Sequence, residues 1–247
     1  MATATSAQPS IHHDTPVPTR SDSGFWGSDV VAEGLRNLDI PYIPLNPGAS
    51  YRWLHDSLVN YLGNRNPQML LCLHDETAVH LAQGYAKASG KMMAAALHAN
   101  VGLMHAGMPI FDAWCDRTPV LVFGATGPMD AAKRRPWIDW IHTCADQAGL
   151  VRNFTKWDNQ PSSVAAATEA ILRGAQIAQT APRGPVYIVL DSAVQEEKLD
   201  QLPVLPDFSR YVSAGTALPA ADAVAKAAEL LSNAKNPVML VGRCSRD

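Results

Sequence analysis

The stretch LHDETAVHLAQGYAKASGK, Leu73–Lys91, places two adjacent carboxylates, Asp75 and Glu76, directly after an apolar run and at the start of a helical pattern. Neighbouring residues on an α-helix point about 100° apart, so only one of these side chains can readily face a given ligand. Gly84 lies in the middle of the same pattern, where glycine costs about 1 kcal/mol relative to alanine. We therefore expect a close approach of backbone or ligand at Gly84.

Apolar runs alternate with helical patterns on both sides of this stretch. The runs are PYIPL before it, QMLLCL leading into it, and MMAAALH, PVLVFG and PVYIVL after it. Continuous apolar strands separated by helices are typical of a parallel sheet that is buried on both faces. The sequence therefore predicts an α/β fold, a parallel sheet with helices on both faces.

Three unusual loops follow the ends of predicted strands. They span Asn46–Ser50, His74–Glu76 and His98–Gly102. The carboxyl ends of parallel strands share one edge of the sheet, and ligands of such sheets bind beyond that edge. The residues alone thus predict a ligand site where the three loops meet. A lone histidine such as His98 at a strand end is equally consistent with a structural and a functional role.

Composition divides the chain into four regions. Residues 1–23 are rich in Ser, Thr and Pro and are predicted to be a disordered tail, 24–192 carry the α/β pattern, and 193–218 form a Pro-containing linker. Residues 219–247 combine a helical pattern over 220–234 with the apolar run PVMLVG, which we predict to be a buried strand. One helix and one strand cannot close a core. We interpret this region as the beginning of a second, truncated α/β domain whose remainder is missing or belongs to another chain.

Composition also argues against several classes of function. The 247 residues carry a formal charge of −3 and no cluster of Lys and Arg, which argues against a nucleic-acid partner. No apolar run approaches membrane-spanning length, so no membrane association is expected. The four cysteines are widely spaced without a CxxC pair. This spacing disfavours zinc and disulfide frameworks and favours a reducing, cytoplasmic location.

Two other motifs have ordinary interpretations. GYAKASGK is not a P-loop, because five residues rather than four separate its glycines and a methionine replaces the Ser or Thr that binds magnesium. In RRPWIDWIHT, Trp137 and Trp140 stand three residues apart before His142. That spacing favours a core or interface position. An aromatic wall of a substrate pocket is the alternative.

A series of short motifs occurs in a fixed order between residues 25 and 191. The first three are a histidine followed by a carboxylate (His74-Asp75), an Ala-x-Gly-Tyr-Ala helix (Ala82–Ala86) and a Gly-Lys turn (Gly90-Lys91). A glycine-containing loop (His98–Gly102) and the pattern Ala-x-x-Asp-x-x-Pro before a strand (Ala113–Pro119) follow. In this order they resemble the amino-terminal, pyrimidine-binding domain of thiamine-diphosphate enzymes of the acetolactate synthase and benzoylformate decarboxylase type. LNPGAS and LHANVG are similar to the benzoylformate decarboxylase branch.

The resemblance implies an enzyme that decarboxylates a 2-oxo acid and releases or transfers the acyl group, a lyase or carboligase that uses thiamine diphosphate. In the family a buried glutamate activates the aminopyrimidine ring of the cofactor. By its register to Gly84 that carboxyl is Asp75 here. Side-chain length favours Glu76 instead, because aspartate is one methylene shorter than glutamate. We choose Asp75 and expect Glu76 to be a helix-terminal or interface residue.

The resemblance also implies roles for residues of the neighbouring loops. His98 and His105 would relay protons or orient the substrate. The residues that would contact the cofactor, together with Asp75 and His105, are Asn46, Pro47, Gly48, Ala49 and Gly102. Two departures concern this set. Ala49 replaces a serine of benzoylformate decarboxylases, and Asn-Val-Gly ending at Gly102 replaces the Gly-Pro-Gly of acetolactate synthases.

The second half of the family's cofactor site has no counterpart in this sequence. The family binds the diphosphate through Mg²⁺ in a separate carboxyl-terminal domain marked by Gly-Asp-Gly, and this chain contains no Gly-Asp pair. The resemblance therefore implies that the missing part of the chain or another subunit supplies that domain, in a homodimer or homotetramer, and that this chain alone is inactive. The alternative is a non-catalytic regulatory or interaction subunit that keeps the fold. The aspartate at position 75 and the missing domain favour that alternative.

Overall fold

The computed structural model of the protein describes residues 24–215 and 217–242, so the predicted tail lies outside the described residues. The strands are, in chain order, β1 (Phe25–Trp26), β2 (Tyr42–Leu45), β3 (Gln68–Leu71), β4 (Met93–Ala96), β5 (Val120–Thr126), β6 (Asp158–Asn159), β7 (Val186–Asp191) and β8 (Lys198–Leu199). The helices are α1 (Gly27–Asn37), α2 (Arg52–Asp56), α3 (Asp75–Ser89), α4 (Ala99–Cys115), α5 (Val164–Gln179), α6 (Ser192–Gln195) and α7 (Ala221–Asn233). In this described part of the chain, none of the helices is long and apolar enough to cross a membrane.

One parallel sheet organises the fold. Its strand order is β3-β2-β4-β5-β7-β6, and each neighbouring pair is parallel. β1 and β8 form a separate antiparallel pair. The strands connect through helices because parallel neighbours need a crossover rather than a hairpin. The predicted α/β fold is confirmed.

Both faces of the sheet are covered by helices. Along β7, Val186, Ile188 and Leu190 pack into one apolar cluster, which α1 and α5 also join, while Tyr187 and Val189 pack into the other, formed with α3 and α4. Successive side chains of a strand point to opposite faces. A strand that is buried on both faces must therefore be apolar at each position, which explains the continuous apolar run that marks β7 in the sequence.

One predicted strand forms but is less buried than expected, and another predicted strand does not form. QMLLCL contains β3, but β3 lies at the edge of the sheet and pairs only with β2, so Leu71 is exposed rather than buried. PVMLVG forms no strand in the described part of the chain, and Leu240 is 96% exposed. A strand needs a partner for its backbone hydrogen bonds, and none of the described residues pairs with this run.

The region predicted as a linker packs on the sheet domain from its start to Phe208. Val194, Gln195 and Phe208 are buried there. α7 follows and has no buried residue. The division of the chain into a pyrimidine-binding domain, a linker and a second domain stays a prediction.

Gln195 fastens the end of α6 to the loop after β2. Its Nε2 donates to the carbonyl of Ser50 at 2.9 Å and to that of Leu190 at 3.3 Å, and its Oε1 accepts from the backbone N–H of Leu54 at 3.4 Å. The side chain is fully buried. One amide group thus holds the Asn46–Ser50 loop against the end of β7.

Candidate active site

The three loops predicted to share an edge of the sheet do meet. They follow β2, β3 and β4, which are adjacent in the order β3-β2-β4. Asp75, the first residue of α3, lies at their centre, and its side chain reaches a residue of each of the other two loops. The expected convergence is therefore present in the geometry.

Asp75 is buried, with 5% of its surface exposed, and both carboxylate oxygens accept hydrogen bonds. Oδ2 accepts from Asn46 Nδ2 at 2.9 Å, and Oδ1 accepts from the backbone N–H of His98 at 2.8 Å. Gly102 leaves the room that this carboxylate occupies, because a Cβ on that residue would lie 2.4 Å from Oδ1. The carboxylate is thus held by one donor from each flanking loop and by the bare backbone of α4.

Glu76 points away from this centre. Its side chain is 46% exposed, and Oε2 lies 3.9 Å from His74 Nδ1. The same Nδ1 accepts from the backbone N–H of Glu76 and so caps the start of α3. This is the position expected of a helix-terminal residue, and it follows from the rotation of about 100° between neighbours on a helix.

His98 packs between the loop after β2 and a later segment of the chain. A Cβ on Gly48 would lie 2.0 Å from Cδ2 of His98, so only glycine leaves room for the imidazole ring. Nε2 of His98 is buried and has no hydrogen-bond partner within the described residues. Burial lowers the pKa of His98, the neighbouring His142 lowers it further, and Asp75 opposes both.

The remaining predicted site residues lie further out. His105 is exposed and its ring packs edge-on against His74, at 4.6 Å between centroids, rather than against His98. Pro47 and Ala49 are exposed on the loop after β2.

Two side chains near the centre were not assigned to the site from the sequence. The ring of His142 lies 5.0 Å from that of His98, between centroids. Tyr51 is buried beneath the loop after β2, and its hydroxyl has no partner within the described residues. Burial raises the pKa of Tyr51, and Asp75 and Cys72 nearby raise it further. The Trp-x-x-Trp spacing drew attention to the segment that contains His142, but it predicted no role for the histidine. No feature of the sequence predicted a role for Tyr51.

The two tryptophans of that segment are not part of this chain's core. Trp137 is 75% exposed and Trp140 is 68% exposed. The core interpretation of their spacing is wrong, because the segment lies over the end of β5 instead of between a helix and the sheet. The interface interpretation stays a prediction.

A separate groove of about 810 Å³ lies elsewhere on the surface. It is formed by one face of α5 and the segment 197–211, and Val164, Leu172 and Tyr211 are among its lining residues. None of the residues that surround Asp75 lines it. The polar groups of the three loops converge at the sheet edge and not in this groove, which is why we place the candidate site at the edge.

The comparison with protein families decides what this edge belongs to. The family described as "Thiamine pyrophosphate enzyme, N-terminal TPP binding domain" matches residues 25–150, which include each of the three loops. The chain belongs to this family. The resemblance drawn from the sequence motifs is thereby confirmed.

Two curated enzymes are among the proteins that are similar to this chain in sequence. The acetolactate synthase large subunit of Lactococcus lactis is 31% identical over 177 residues, which cover 71% of this chain and 29% of that protein. Benzoylformate decarboxylase of Pseudomonas aeruginosa is 27% identical over 175 residues, 70% of this chain and 32% of that protein. The chain thus spans about a third of the length of these curated relatives.

A solved thiamine-pyrophosphate enzyme has the same fold. The thiamine diphosphate-dependent 4-hydroxybenzoylformate decarboxylase of Rhodococcus jostii RHA1 superposes with a TM-score of 0.70 at 20% identity, over 87% of this chain and 38% of that chain. At this identity the likeness concerns the fold alone.

The residues at the sheet edge can be compared with the parts of thiamine diphosphate. A buried carboxylate and an imidazole nitrogen without a hydrogen-bond partner among the described residues suit a flat, nitrogen-containing ring. These residues therefore fit the aminopyrimidine end of the cofactor.

Proposed function

We propose that this chain is the aminopyrimidine-binding half of a thiamine-diphosphate-dependent 2-oxo-acid decarboxylase or carboligase. The observation that carries the proposal is the buried carboxylate of Asp75, which lies where the loops after β2, β3 and β4 meet. Similarity to acetolactate synthases and to a benzoylformate decarboxylase supports the 2-oxo acid as substrate class. When bound, thiamine diphosphate supplies carbanion stabilisation.

Asp75, and not Glu76, is the carboxyl that we propose contacts the cofactor ring. Asp75 is buried among the three loops, while Glu76 is directed outward to His74. Turning Glu76 inward would require rotation of α3 and would expose the two donors that now bind Asp75. A shift of the short aspartate side chain or a bridging water needs much less rearrangement.

The residues around Asp75 have distinct tasks in this proposal. Asn46 and the backbone N–H of His98 orient the carboxylate. Each carboxylate oxygen has two lone pairs, so the oxygens keep acceptor capacity for a proton shared with a ring nitrogen. The imidazole of His98 is neutral at neutral pH because burial lowers its pKa, and it can accept or return a proton at Nε2. Gly48 leaves room for the imidazole of His98, and Gly102 leaves room for the carboxylate of Asp75.

A second surface must complete the site, and α4 offers the place for it. Val101, Met104, Met108 and Phe111 are exposed along one face of this helix. An apolar stripe of this kind usually marks a contact with another protein surface. We propose that a diphosphate-binding domain with its Mg²⁺, from the rest of the protein or from another subunit, packs there in a homodimer or homotetramer, and that the chain is inactive without it.

We also propose a cytoplasmic location. Cys72, Cys115 and Cys144 are free thiols. Free cysteines at this density are typical of proteins from reducing compartments.

One observation favours a second candidate function, a non-catalytic regulatory or interaction subunit. Both oxygens of Asp75 are already bound by donors from this chain, and aspartate is one methylene shorter than the glutamate that the family uses. A carboxylate that only ties loops together would have the same contacts. The two candidates differ in whether Asp75 affects the cofactor.

Titration calorimetry of this chain with thiamine diphosphate and Mg²⁺ tests whether the diphosphate-binding half of the site lies outside this chain. We expect weak binding and no turnover. Tight one-to-one binding would overturn the proposal that this chain holds only the aminopyrimidine half of the site.

In the holoenzyme, meaning this chain with its diphosphate-binding domain, Asp75→Glu should retain or raise exchange of the cofactor's C2 proton, and Glu76→Gln should leave it nearly unchanged. Loss of exchange in Glu76→Gln but not in a variant of Asp75 would show that Glu76 is the carboxyl that activates the cofactor. No exchange in the unsubstituted holoenzyme would favour the non-catalytic subunit.

A further inference from the structure

The groove between α5 and the segment 197–211 has no part in the proposed active site, and much of its lining is apolar. α5 contributes Val164 and Leu172, and the segment contributes Val204, Leu205 and Tyr211. Val204 is 99% exposed and Tyr211 is 49% exposed. Exposed apolar side chains that are gathered in one place usually mark a contact surface. The groove therefore calls for an occupant.

The described part of the chain begins at one end of this groove. β1 pairs with β8, and Phe25 lies opposite Leu199, which lines the groove. A Cβ on Gly24 would lie 2.7 Å from the carbonyl oxygen of Leu199. A Cβ on Gly27 would lie 2.9 Å from Cγ2 of Val164, a second lining residue. Residues 1–23 therefore join the described part of the chain beside the groove.

The antiparallel register directs the tail, residues 1–23, along the groove. Since Phe25 lies opposite Leu199, each earlier residue of the tail meets a later residue of the segment. Residues 18–23, continued in the direction of β1, thus pass residues 201–206, most of which line the groove. Pro203 and Pro206 have no N–H for a strand ladder, and neither has Pro18. The tail must therefore be held there by side-chain contacts.

The length of the tail matches the length of the groove. Val164 and Gln176 line the groove on α5, and the twelve steps between them span about 18 Å at ~1.5 Å per residue. Nε2 of Gln176 donates to the carbonyl of Val212, the residue after Tyr211, at 3.0 Å, which places Tyr211 near that end. Residues 18–24 span about 20 Å when extended. The residues just before position 19 thus reach the end of the groove near Tyr211.

The composition of this part of the tail fits the lining. Residues 16–18 read Pro-Val-Pro, and Arg20 is the one charged residue among residues 15–21. Proline-rich segments form polyproline II helices, which dock in grooves lined by aromatic side chains. The lining carries Glu169 and Glu197 but a single basic residue, Arg173. A basic, proline-containing segment is therefore complementary to the groove in both shape and charge.

We infer that residues 15–21 occupy the groove of their own chain, with the Pro-Val-Pro sequence against Tyr211. A segment that is tethered beside its binding site has an effective concentration in the millimolar range, which favours it over a second molecule of equal affinity. The tail as a whole is too poor in apolar residues to form a core, and the groove supplies a partner for the few that it has. The inference is independent of the proposed function.

Limited trypsin digestion of the full chain tests the docking at the bond after Arg20. A docked segment is cleaved only while it is out of the groove, so the rate follows the open population. Tyr211→Ser leaves the tail unchanged and should raise this rate about tenfold, as for a segment docked about nine-tenths of the time. The matched control is Trp137→Ser, an exposed aromatic residue outside the groove, which should leave the rate unchanged. Equal rates in Tyr211→Ser and the unsubstituted chain would overturn the inference.

Two substitutions in the tail make the test independent of any effect of Tyr211→Ser on folding. Val17→Asp removes an apolar contact of the docked segment and should also raise the rate of cleavage after Arg20. Ile11→Asp places the same charge outside residues 15–21 and should leave the rate unchanged. Each rate is divided by that of the matching synthetic peptide of residues 10–24, which corrects for trypsin's own preferences. Equal acceleration by both substitutions would contradict docking in the groove.

Photo-cross-linking identifies the occupant directly. With p-benzoylphenylalanine in place of Val17, irradiation of a mixture of ¹⁴N- and ¹⁵N-labelled full chains should give cross-links from position 17 to Leu172 or Tyr211 within one chain. The same probe in place of Ile11 should give no link to the groove. Cross-links of mixed isotope mass would assign the groove to the tail of a second copy and overturn the intramolecular docking. Absence of any link from position 17 to the groove would overturn the docking itself.

Discussion

The first turns of α1 and α3 each contain a buried aspartate, and the two residues are bound in similar ways. Asp29 accepts from the backbone N–H of Trp26 at 2.9 Å and from Ser57 Oγ at 2.7 Å. Asp75 accepts from Asn46 Nδ2 and from the backbone N–H of His98 at nearly the same distances. Burial and two donors are therefore not sufficient to distinguish a functional carboxylate from a structural one.

The surroundings of the two carboxylates differ. Asp29 belongs to a closed polar cluster, in which the hydroxyls of Ser57 and Ser28 are also hydrogen-bonded to each other, and burial raises the pKa of Asp29. Asp75 binds the main chain of His98, whose buried Nε2 has no partner among the described residues, and it packs against the bare backbone of Gly102. A structural carboxylate sits in a cluster whose polar groups are satisfied, whereas a candidate catalytic carboxylate adjoins groups that still lack a partner.

The largest expected effect separates these two aspartates. In the holoenzyme, Asp75→Asn should lower turnover of a 2-oxo acid about 10⁴-fold, at the upper end for a proton-transfer group, because the amide cannot share a proton. Asp29→Asn should leave turnover within a small factor and lower the free energy of unfolding by about 1 kcal/mol, since one of two buried donors loses its acceptor. Steady-state kinetics and urea unfolding measure both. Equal turnover losses would remove the distinction.

The next effect concerns the unpartnered imidazole. His98→Ala should lower turnover about 10²- to 10³-fold with little change in melting temperature, because its backbone N–H, and not its ring, binds Asp75. Steady-state kinetics and thermal unfolding of the same samples decide the matter. Normal kinetics with a large loss of melting temperature would assign His98 to the structural class, together with Asp29.

A smaller effect is expected from the glycine that Asp75 packs against. Gly102→Ala should lower the free energy of unfolding by about 1–3 kcal/mol, because its Cβ would collide with the carboxylate. Gly84→Ala is the matched control in a neighbouring helix, since a Cβ there meets nothing within 4 Å in this chain. It should stabilise the chain by up to about 1 kcal/mol. A loss at Gly84 would reveal a neighbour from another subunit, the close approach that its sequence position predicts.

The smallest effect is a pH dependence that belongs to Asp29. Its pKa is raised in the folded state, mainly by burial, so the folded protein binds the proton more tightly than the unfolded chain. The stabilisation is complete below the unfolded value and is lost as pH rises through the folded value. The difference in unfolding free energy between wild type and Asp29→Asn should therefore decrease as pH rises from about 3.8. A difference that increases with pH would contradict the raised pKa.

The sequence predicted the sheet well because its central strands are apolar at each position. PVYIVL became β7 between two neighbours, but PVMLVG, which has almost the same composition, is exposed and unpaired. A continuous apolar run indicates that a segment can form a buried strand when neighbouring strands are available to pair with it. It does not report whether the partners are present.

The meeting of the three loops was predictable, but the side chains that complete their surroundings were not. Parallel strands put Asn46, Asp75 and His98 on one edge whatever the details of packing. His142 comes from an irregular segment in which no periodicity fixes the direction of a side chain. The hydroxyl of Tyr51 became noticeable only as a buried group without a partner.

The amide of Gln195 has a consequence for how the chain folds. Its bond to Ser50 joins residues 145 positions apart, a separation that makes the contact slow to form relative to the local helices. A chain emerging from the ribosome must expose the whole stretch from Ser50 to Gln195 before this bond can close. The loop that presents Asn46 to Asp75 is therefore among the last parts of the domain to acquire its final shape, well after the helix that carries the aspartate.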